Sequence, residues 1–211
     1  MDDRHLSVTL RQTIGESARP APLGETPRLA VDAPLDEIAR AATAGDVEAV
    51  GRLYDELVRP IYRYVAVRVR RREDAEDLTQ LVFERIVTAL PRYRQGGKPF
   101  SAWAFRIARN AVIDHVRRSR PTEPLGVIAE TAEGGGDLDA ITLRAEELRE
   151  LQSAIGRLTP DQREALILRY AGGLSADEAA QVMGRRAGTV RGLTFRAIEA
   201  LRRQLGGARG R

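Results

Sequence analysis

Apolar and polar residues repeat along most of this chain with the period of an α-helix. From Glu73 to Leu90, Ala75, Leu78, Leu81, Val82, Ile86 and Ala89 recur at three- and four-residue steps, with Arg85 beside Ile86. That spacing predicts one buried helical stripe. Glu73, Asp74, Glu76 and Asp77 crowd the start of the helix, where its dipole favours negative charge. A second helix is predicted over Phe100–Arg118, burying Phe100, Trp103, Ala104, Ile107 and Ala111 and gathering Arg106, Asn110 and Arg117 on another face. Trp103 therefore reads as core rather than as a stacking platform, and Asp114 as the partner of a nearby arginine. Between the helices, Pro91–Pro99 carries Arg92, Tyr93, Arg94 and Lys98, and Gly96-Gly97 breaks the helix.

Upstream, Leu35–Ala44 and Asp46–Arg70 read as helices separated by Gly45, with Asp46 as N-cap. Val50, Leu53, Tyr54, Leu57, Val58 and Ile61 form the stripe of the longer one, and Pro60 is expected to bend or restart it. Arg68, Arg70, Arg71 and Arg72 make a basic connection into the acidic helix. Residues 1–34, with Pro20, Pro22, Pro27 and Pro34, have irregular apolar spacing and read as a flexible extension, with a short helix near Leu6–Ile14.

Downstream, Pro121–Gly136 is interrupted by proline and glycine and carries Glu123, Glu130 and Glu133, followed by Asp137 and Asp139, so it reads as an acidic linker. Helical period resumes over Leu138–Leu158. Thr159-Pro160-Asp161-Gln162 and Ser175-Ala176-Asp177-Glu178 each have the form of a capping box. The first opens a helix that stops at Gly172-Gly173. The second opens a short helix burying Ala176, Ala179, Ala180 and Met183, ended by Gly184. A longer helix follows from about Ala187 to Leu205.

Short helix, glycine turn and longer basic helix are the plan of a helix-turn-helix. Small residues where the helices cross are supplied by Ala179 and Ala180. Val190, Leu193, Ala197 and Leu201 are expected inside, leaving Arg186, Thr189, Arg191, Phe195 and Arg196 to face DNA. The alternative is an ordinary helical hairpin with a solvated arginine face.

Composition narrows the classes. With 211 residues and 43% hydrophobic content the chain can bury one or two small cores. It has no cysteine and only two histidines, His5 and His115, so disulfides, thiolate metal sites and a zinc site are excluded. No metal or cofactor is expected. The formal charge is only +4, but Arg185–Arg211 holds eight arginines against one acid, Glu199. Clustered guanidinium groups suit phosphate recognition. The dominance of arginine over lysine, of which Lys98 is the only example, also fits codon bias and carries no argument. There is no phosphate-binding glycine loop, nucleophile elbow or metal-ligand spacing, so no enzyme is expected. No apolar run approaches a membrane span and no signal peptide is apparent, so a cytoplasmic protein is expected.

Three stretches together resemble one family. DAEDLTQLVFERI, PFSAWAFRIARNAVIDHVRR and LTPDQREALILRYAGGLSADEAAQVMGRRAGTVRG are similar to bacterial sigma factors of the extracytoplasmic-function (ECF) type, over about Asp36 to Leu205 and in the right order. The resemblance implies an all-α fold of two small helical domains, a region-two-like bundle and a helix-turn-helix region-four-like domain. It divides the chain into an extension (1–34), a polymerase- and minus-ten-binding domain (35–120), a flexible acidic linker (121–137), a minus-35 domain (138–206) and a basic tail (207–211).

The partners it implies are core RNA polymerase, promoter DNA and an anti-sigma factor, without membrane insertion. It places polymerase docking at Asp77, Leu78, Gln80, Leu81 and Glu84, although Leu81 stands where glutamate is frequent. Capture of single-stranded minus-ten DNA falls to Arg92, Tyr93, Arg94, Lys98, Phe100, Arg106, Arg109, Asn110 and Arg117, the types that stack on or grip extruded bases. Reading of minus-35 duplex falls to Arg185, Arg186, Thr189, Arg191, Phe195 and Arg196. Arg185 and Arg186 replace the family's usual apolar residue and Ser or Thr. Leu193 and Thr194 replace a frequent Arg-Leu, so Leu193 is expected to pack rather than read bases. The implied function is directing polymerase to promoters and assisting melting. The alternative is a stand-alone helix-turn-helix regulator.

Overall fold

The computed structural model describes residues 32–69, 71–94, 96–118 and 150–208. The described residues are helical, without strands. The first half contains α1 (Asp32–Thr43), α2 (Val47–Ala66), α3 (Arg72–Ala89), a 3₁₀ turn (Leu90–Arg92) and α4 (Phe100–Arg118). The second contains α5 (residues 150–156), α6 (Pro160–Tyr170), α7 (Ala176–Met183) and α8 (Ala187–Ala208). The expected linker, residues 1–31 of the expected extension with the helix near Leu6–Ile14, residues 209–211 of the basic tail and the turns before Glu150 lie outside the described residues, whereas residues 32–34 already belong to α1 and residues 207–208 to α8.

The expected caps form. Asp46 accepts from the Ala49 amide at 3.1 Å and opens α2. Helix α2 runs uninterrupted through Pro60, so it does not restart there, and buries Pro60 with Leu53, Leu57, Ile61 and Tyr64. Both capping boxes close reciprocally, Thr159 with Gln162 and Ser175 with Glu178. Replacing Ser175 with alanine frees the Glu178 amide it accepts from at 3.2 Å, and is expected to cost about 1 kcal/mol in urea unfolding. A shift below roughly 0.3 kcal/mol would show that the cap is dispensable.

Helix α3 is rotated slightly from its predicted stripe. Ala75, Leu78, Val82 and Ile86 are buried as expected, but Thr79 and Phe83 join them while Leu81 and Ala89 stay half-buried. The reason is that α3 packs against both α2 and α4. The Thr79 hydroxyl is satisfied by the Ala75 carbonyl at 2.7 Å, so its burial leaves no unpaired group.

The core lies in two clusters. The larger runs from Leu35 through Leu57, Ile61, Phe100 and Phe105 and continues into Leu168, Leu174, Ala179 and Val190 of the second half. The smaller joins Leu151, Ile155 and Leu158 to Leu166, Ala197 and Leu201. Helix α6 bridges them: Ala165, Ile167 and Leu168 serve the first cluster and Leu166 the second. Arg163, beside them, donates to the carbonyls of Ile155, Gly156 and Leu158, which closes the C-terminal end of α5. Helix α4 packs directly on α7, so the two halves touch.

Candidate functional site

Three surfaces carry the residues singled out by sequence. On α3, Asp77, Gln80 and Glu84 are exposed and seven residues span two turns, so the three share a face; Leu81 is half-buried beside them. Gln80 donates to the Glu84 carboxylate at 3.3 Å. Leu78 is a correction: it is only 4% exposed, so it supports this face from below. Asp77 lies beyond the first turn, where the dipole no longer accounts for an acid. Earlier in the helix, hydrogen bonds from Arg71 hold the Asp74 carboxyl below its usual range.

Beside this face a groove of about 710 Å³ opens between α2 and α3, lined by Tyr54, Val58, Tyr62, Phe83 and Val87 with Glu76 at its edge. Tyr54 and Val87 are exposed, and the Tyr54 ring rests on Phe83 at 4.6 Å. Sequence reading assigned Tyr54 to the core stripe. It sits instead at the edge of that stripe, which is wider than the surface available to cover it.

The second surface is the loop after α3 and the outer side of α4. Arg92, Arg94 and Lys98 are exposed on the loop, and Arg106, Asn110 and Arg117 are exposed along α4 at steps of four and seven. Tyr93 and Phe100 are corrections. Phe100 is fully buried and Tyr93 nearly so, forming with the half-buried Trp103 a trio whose ring centroids lie 5.0–5.1 Å apart. The Tyr93 hydroxyl donates to the Lys98 carbonyl at 3.2 Å and pins the loop across Gly97, whose φ is +74°. These aromatics pack on one another and build the loop. Asp36 of α1 caps α4 by accepting from the Phe100 amide at 2.7 Å, a role with no local sequence signal. Asp114 pairs with Arg85 at 3.6 Å, as expected of it.

A shallow cavity of about 510 Å³, lined by Leu81, Glu84, Arg85, Thr88, Ile107 and Asn110, joins the first two surfaces. Arg109 departs from its neighbours. Its Nε lies 3.4 Å from Glu164 of α6, so it faces the second half of the molecule.

The third surface is the helix-turn-helix of α7 and α8. Gly184 ends α7 in the left-handed region, φ +65° and ψ +37°. Val190, Leu193, Ala197 and Leu201 are all buried, as predicted. Thr194 is buried too, its hydroxyl returned to the Val190 carbonyl at 2.9 Å. Arg186, Thr189, Arg191, Phe195 and Arg196 are exposed together, with Phe195 65% exposed, high for so large an apolar ring. Arg185 is exposed but bridges to Asp161 of α6 at 3.0 Å. A pair so open to water is weak and yields readily to a phosphate.

Sequence reasoning missed the cluster around Glu164. Arg68, expected in a basic surface connection, turns inward and donates to Glu164 at 2.7 Å and to the Tyr64 hydroxyl. Tyr64 donates to the other Glu164 oxygen at 3.1 Å. Burial pushes the Tyr64 phenol well above its usual range. Burial also works against the Arg68 charge, but Tyr64 and Glu164 more than offset it and its pKa is raised. No spacing rule links residues about a hundred positions apart.

None of the described helices is long and apolar enough to cross a membrane, and no cluster of metal-ligating side chains occurs among the described residues.

Comparison with known proteins agrees with this layout. Residues 53–122 match the family model for Sigma-70 region 2, and residues 148–201 that for Sigma-70, region 4. The chain is 36% identical over 171 residues to the ECF RNA polymerase sigma factor BldN of Streptomyces coelicolor, a match covering 80% of this chain and 65% of that relative. It is 35% identical over 181 residues to the ECF RNA polymerase sigma factor SigD of Mycobacterium tuberculosis, covering 81% of this chain and 84% of the relative. Among solved structures, CnrH in complex with the cytosolic domain of CnrY has a TM-score of 0.63 at 27% identity, covering 81% of this chain and 96% of that one. A stand-alone regulator falls away as an alternative, because the first half is itself a region-two match. Two region matches in order, together with relatives 35–36% identical over most of the chain, place this chain in the ECF family of RNA polymerase sigma factors.

Proposed function

We propose that the chain binds core RNA polymerase, brings it to promoters and assists melting, each step using one of the three surfaces. The exposed side of α3, with Asp77, Gln80, Leu81 and Glu84, is the polymerase-docking face. Arg92, Arg94, Lys98, Arg106, Asn110 and Arg117 hold the minus-ten element as single strand, where cations grip the backbone and guanidinium planes stack on exposed bases. Arg109 joins them once it leaves Glu164. Arg186, Thr189, Arg191, Phe195 and Arg196 enter the major groove at the minus-35 element. Arg185 contacts phosphate beside them.

The observation that carries this reading is the division of α8. Val190, Leu193, Ala197 and Leu201 are packed inward, while Thr189, Arg191, Phe195 and Arg196 of the same helix, with Arg186 just before it, are exposed. A helix held only for structure gains nothing from an exposed phenylalanine among arginines. Control by a sequestering partner protein, an anti-sigma factor, is proposed from the likeness to CnrH in complex with the cytosolic domain of CnrY. The reaction chemistry belongs to the polymerase, and this chain supplies no catalytic group.

Run-off transcription with purified core polymerase on a promoter library tests the whole reading. Initiation at defined sites that depends on the added chain supports it; no chain-dependent start on any template overturns it. One surface can be tested separately. Arg191→Ala is expected to weaken promoter binding and to make the salt dependence shallower by about one phosphate contact. An unaltered slope would remove Arg191 from the DNA surface.

A further inference from the structure

Helix α4 carries much of the candidate DNA surface, yet its start has no local cap. Pro99 precedes Phe100 and accepts from the Trp103 amide at 3.3 Å, so it stands at the N-cap with no side-chain acceptor to offer. The first turn contains no acid either. The missing acceptor comes from α1. There the Asp36 carboxylate takes the Phe100 amide at 2.7 Å, across 64 positions of sequence. A negative charge at this end also suits the helix dipole. Asp36 is the fifth residue of α1, past that helix's own first turn, so the end of α1 does not account for it.

The core fixes where Asp36 sits. Leu35, Ala39 and Ala42 of the same helix are buried in the larger cluster, and α1 packs against both α4 and the 3₁₀ turn Leu90–Arg92. The loop joining those two elements is therefore tied at both ends. Tyr93 donates to the Lys98 carbonyl, and Asp36 holds the Phe100 amide. Burial, and after it the charge of Asp36, raise the Tyr93 phenol above its usual range, which keeps the hydroxyl protonated as a donor. Between the ties, Arg94 and Lys98 stay exposed. The match to region 2 begins at residue 53, after α1, and assigns this helix nothing.

We propose that Asp36 is a positioning residue for capture of the minus-ten strand: it sets the start of α4, and with it the aim of Arg94, Lys98 and Arg106, without touching DNA itself. The proposal rests on the sigma-factor reading and adds α1 to the machinery of melting. When Asp36 is lost, the Phe100 amide loses its acceptor and the first turn of α4 frays. A cap of this kind shifts the balance between closed and frayed turn roughly fivefold. Single-stranded DNA then meets the aligned loop only part of the time, and apparent affinity falls with that fraction. The docking face on α3 draws on none of these bonds and is spared.

The test uses the full chain with core polymerase. The Asp36→Ala holoenzyme is expected to bind a single-stranded minus-ten oligonucleotide about two- to fivefold more weakly than the parent. Permanganate reactivity of promoter thymines should fall with it, while affinity for core polymerase stays unchanged. Asp36→Asn keeps a side-chain oxygen that can accept the same amide, and should recover most of the lost affinity. In hydrogen exchange, the Phe100 amide should open roughly fivefold more readily in Asp36→Ala. If Asp36→Ala does not fold, Asp36→Ser decides by the same measurements, because it stays polar but holds its oxygen short of that amide.

Equal affinity of parent and Asp36→Ala for the single strand would overturn the proposal. So would an equal fall in polymerase affinity, which marks general destabilisation, or an Asp36→Asn as defective as Asp36→Ala. A parent chain that starts no transcription would instead sink the sigma-factor reading, while exchange of the Phe100 amide still judged the cap.

Discussion

Replacing Phe105 with alanine is expected to lower the unfolding free energy by about 3–5 kcal/mol. The ring is fully buried, meets Tyr64 edge-on at a centroid distance of 5.5 Å and fills the space beside Gly172. The loss therefore combines apolar transfer, an aromatic pair worth roughly 0.5–1.5 kcal/mol, and a cavity where two halves of the molecule meet. Because the larger core cluster is continuous through this point, the damage should reach residues of α2, α4 and the loop after α6 together. Hydrogen exchange would show this as faster opening of both halves, and urea unfolding would give the total. A loss below roughly 1 kcal/mol would mean that the ring is not packed as described.

Reversing the charge of Asp77 and Glu84 together, as Asp77→Lys with Glu84→Lys, should leave stability almost unchanged. Both side chains are exposed and make no buried contact, so a change within about 0.5 kcal/mol is expected. Affinity for core polymerase should fall by roughly a hundredfold, or about 2.7 kcal/mol, because like charges would then face each other across the docking surface. The double substitution matters. One exposed charge changes mainly the encounter rate, whereas two on the same helical face oppose the docked state itself. Equal dissociation constants for parent and variant, measured by titration of labelled chain with polymerase, would move the docking face elsewhere.

The placement of these two tests follows from which features a linear reading can contain. Repeats of three and four residues along α8 picked out Val190, Leu193, Ala197 and Leu201 as inward, and the structure buries all four. Ser175, Glu178, Thr159 and Gln162 were legible as caps because each pair is three residues apart and closes within one turn. The exposed arginines of α8 and the acids of α3 were legible for the same reason, being the complement of an apolar stripe.

Periodicity was weaker where a helix is covered on more than one side. The family resemblance placed Tyr93 and Phe100 among DNA-contacting residues and Leu78 on the docking face, whereas the apolar spacing had Leu78 and Phe100 inward, where the structure buries them. Reading charge along the chain assigned Arg68 to a basic connection because three other arginines follow it.

Local chemistry along the chain thus set the helices, their ends and the apolar and charged faces of each, because those depend on groups within a turn or two. The closing of α4 by Asp36, the burial of Arg68 against Glu164 and the meeting of Ser101 with Glu178 join residues 64, 96 and 77 positions apart. Such pairs exist only after the helices have packed. Burial then decides whether a charge is a surface ligand or an internal tie, because the same guanidinium that is solvated on an open face must find a carboxylate once water is excluded.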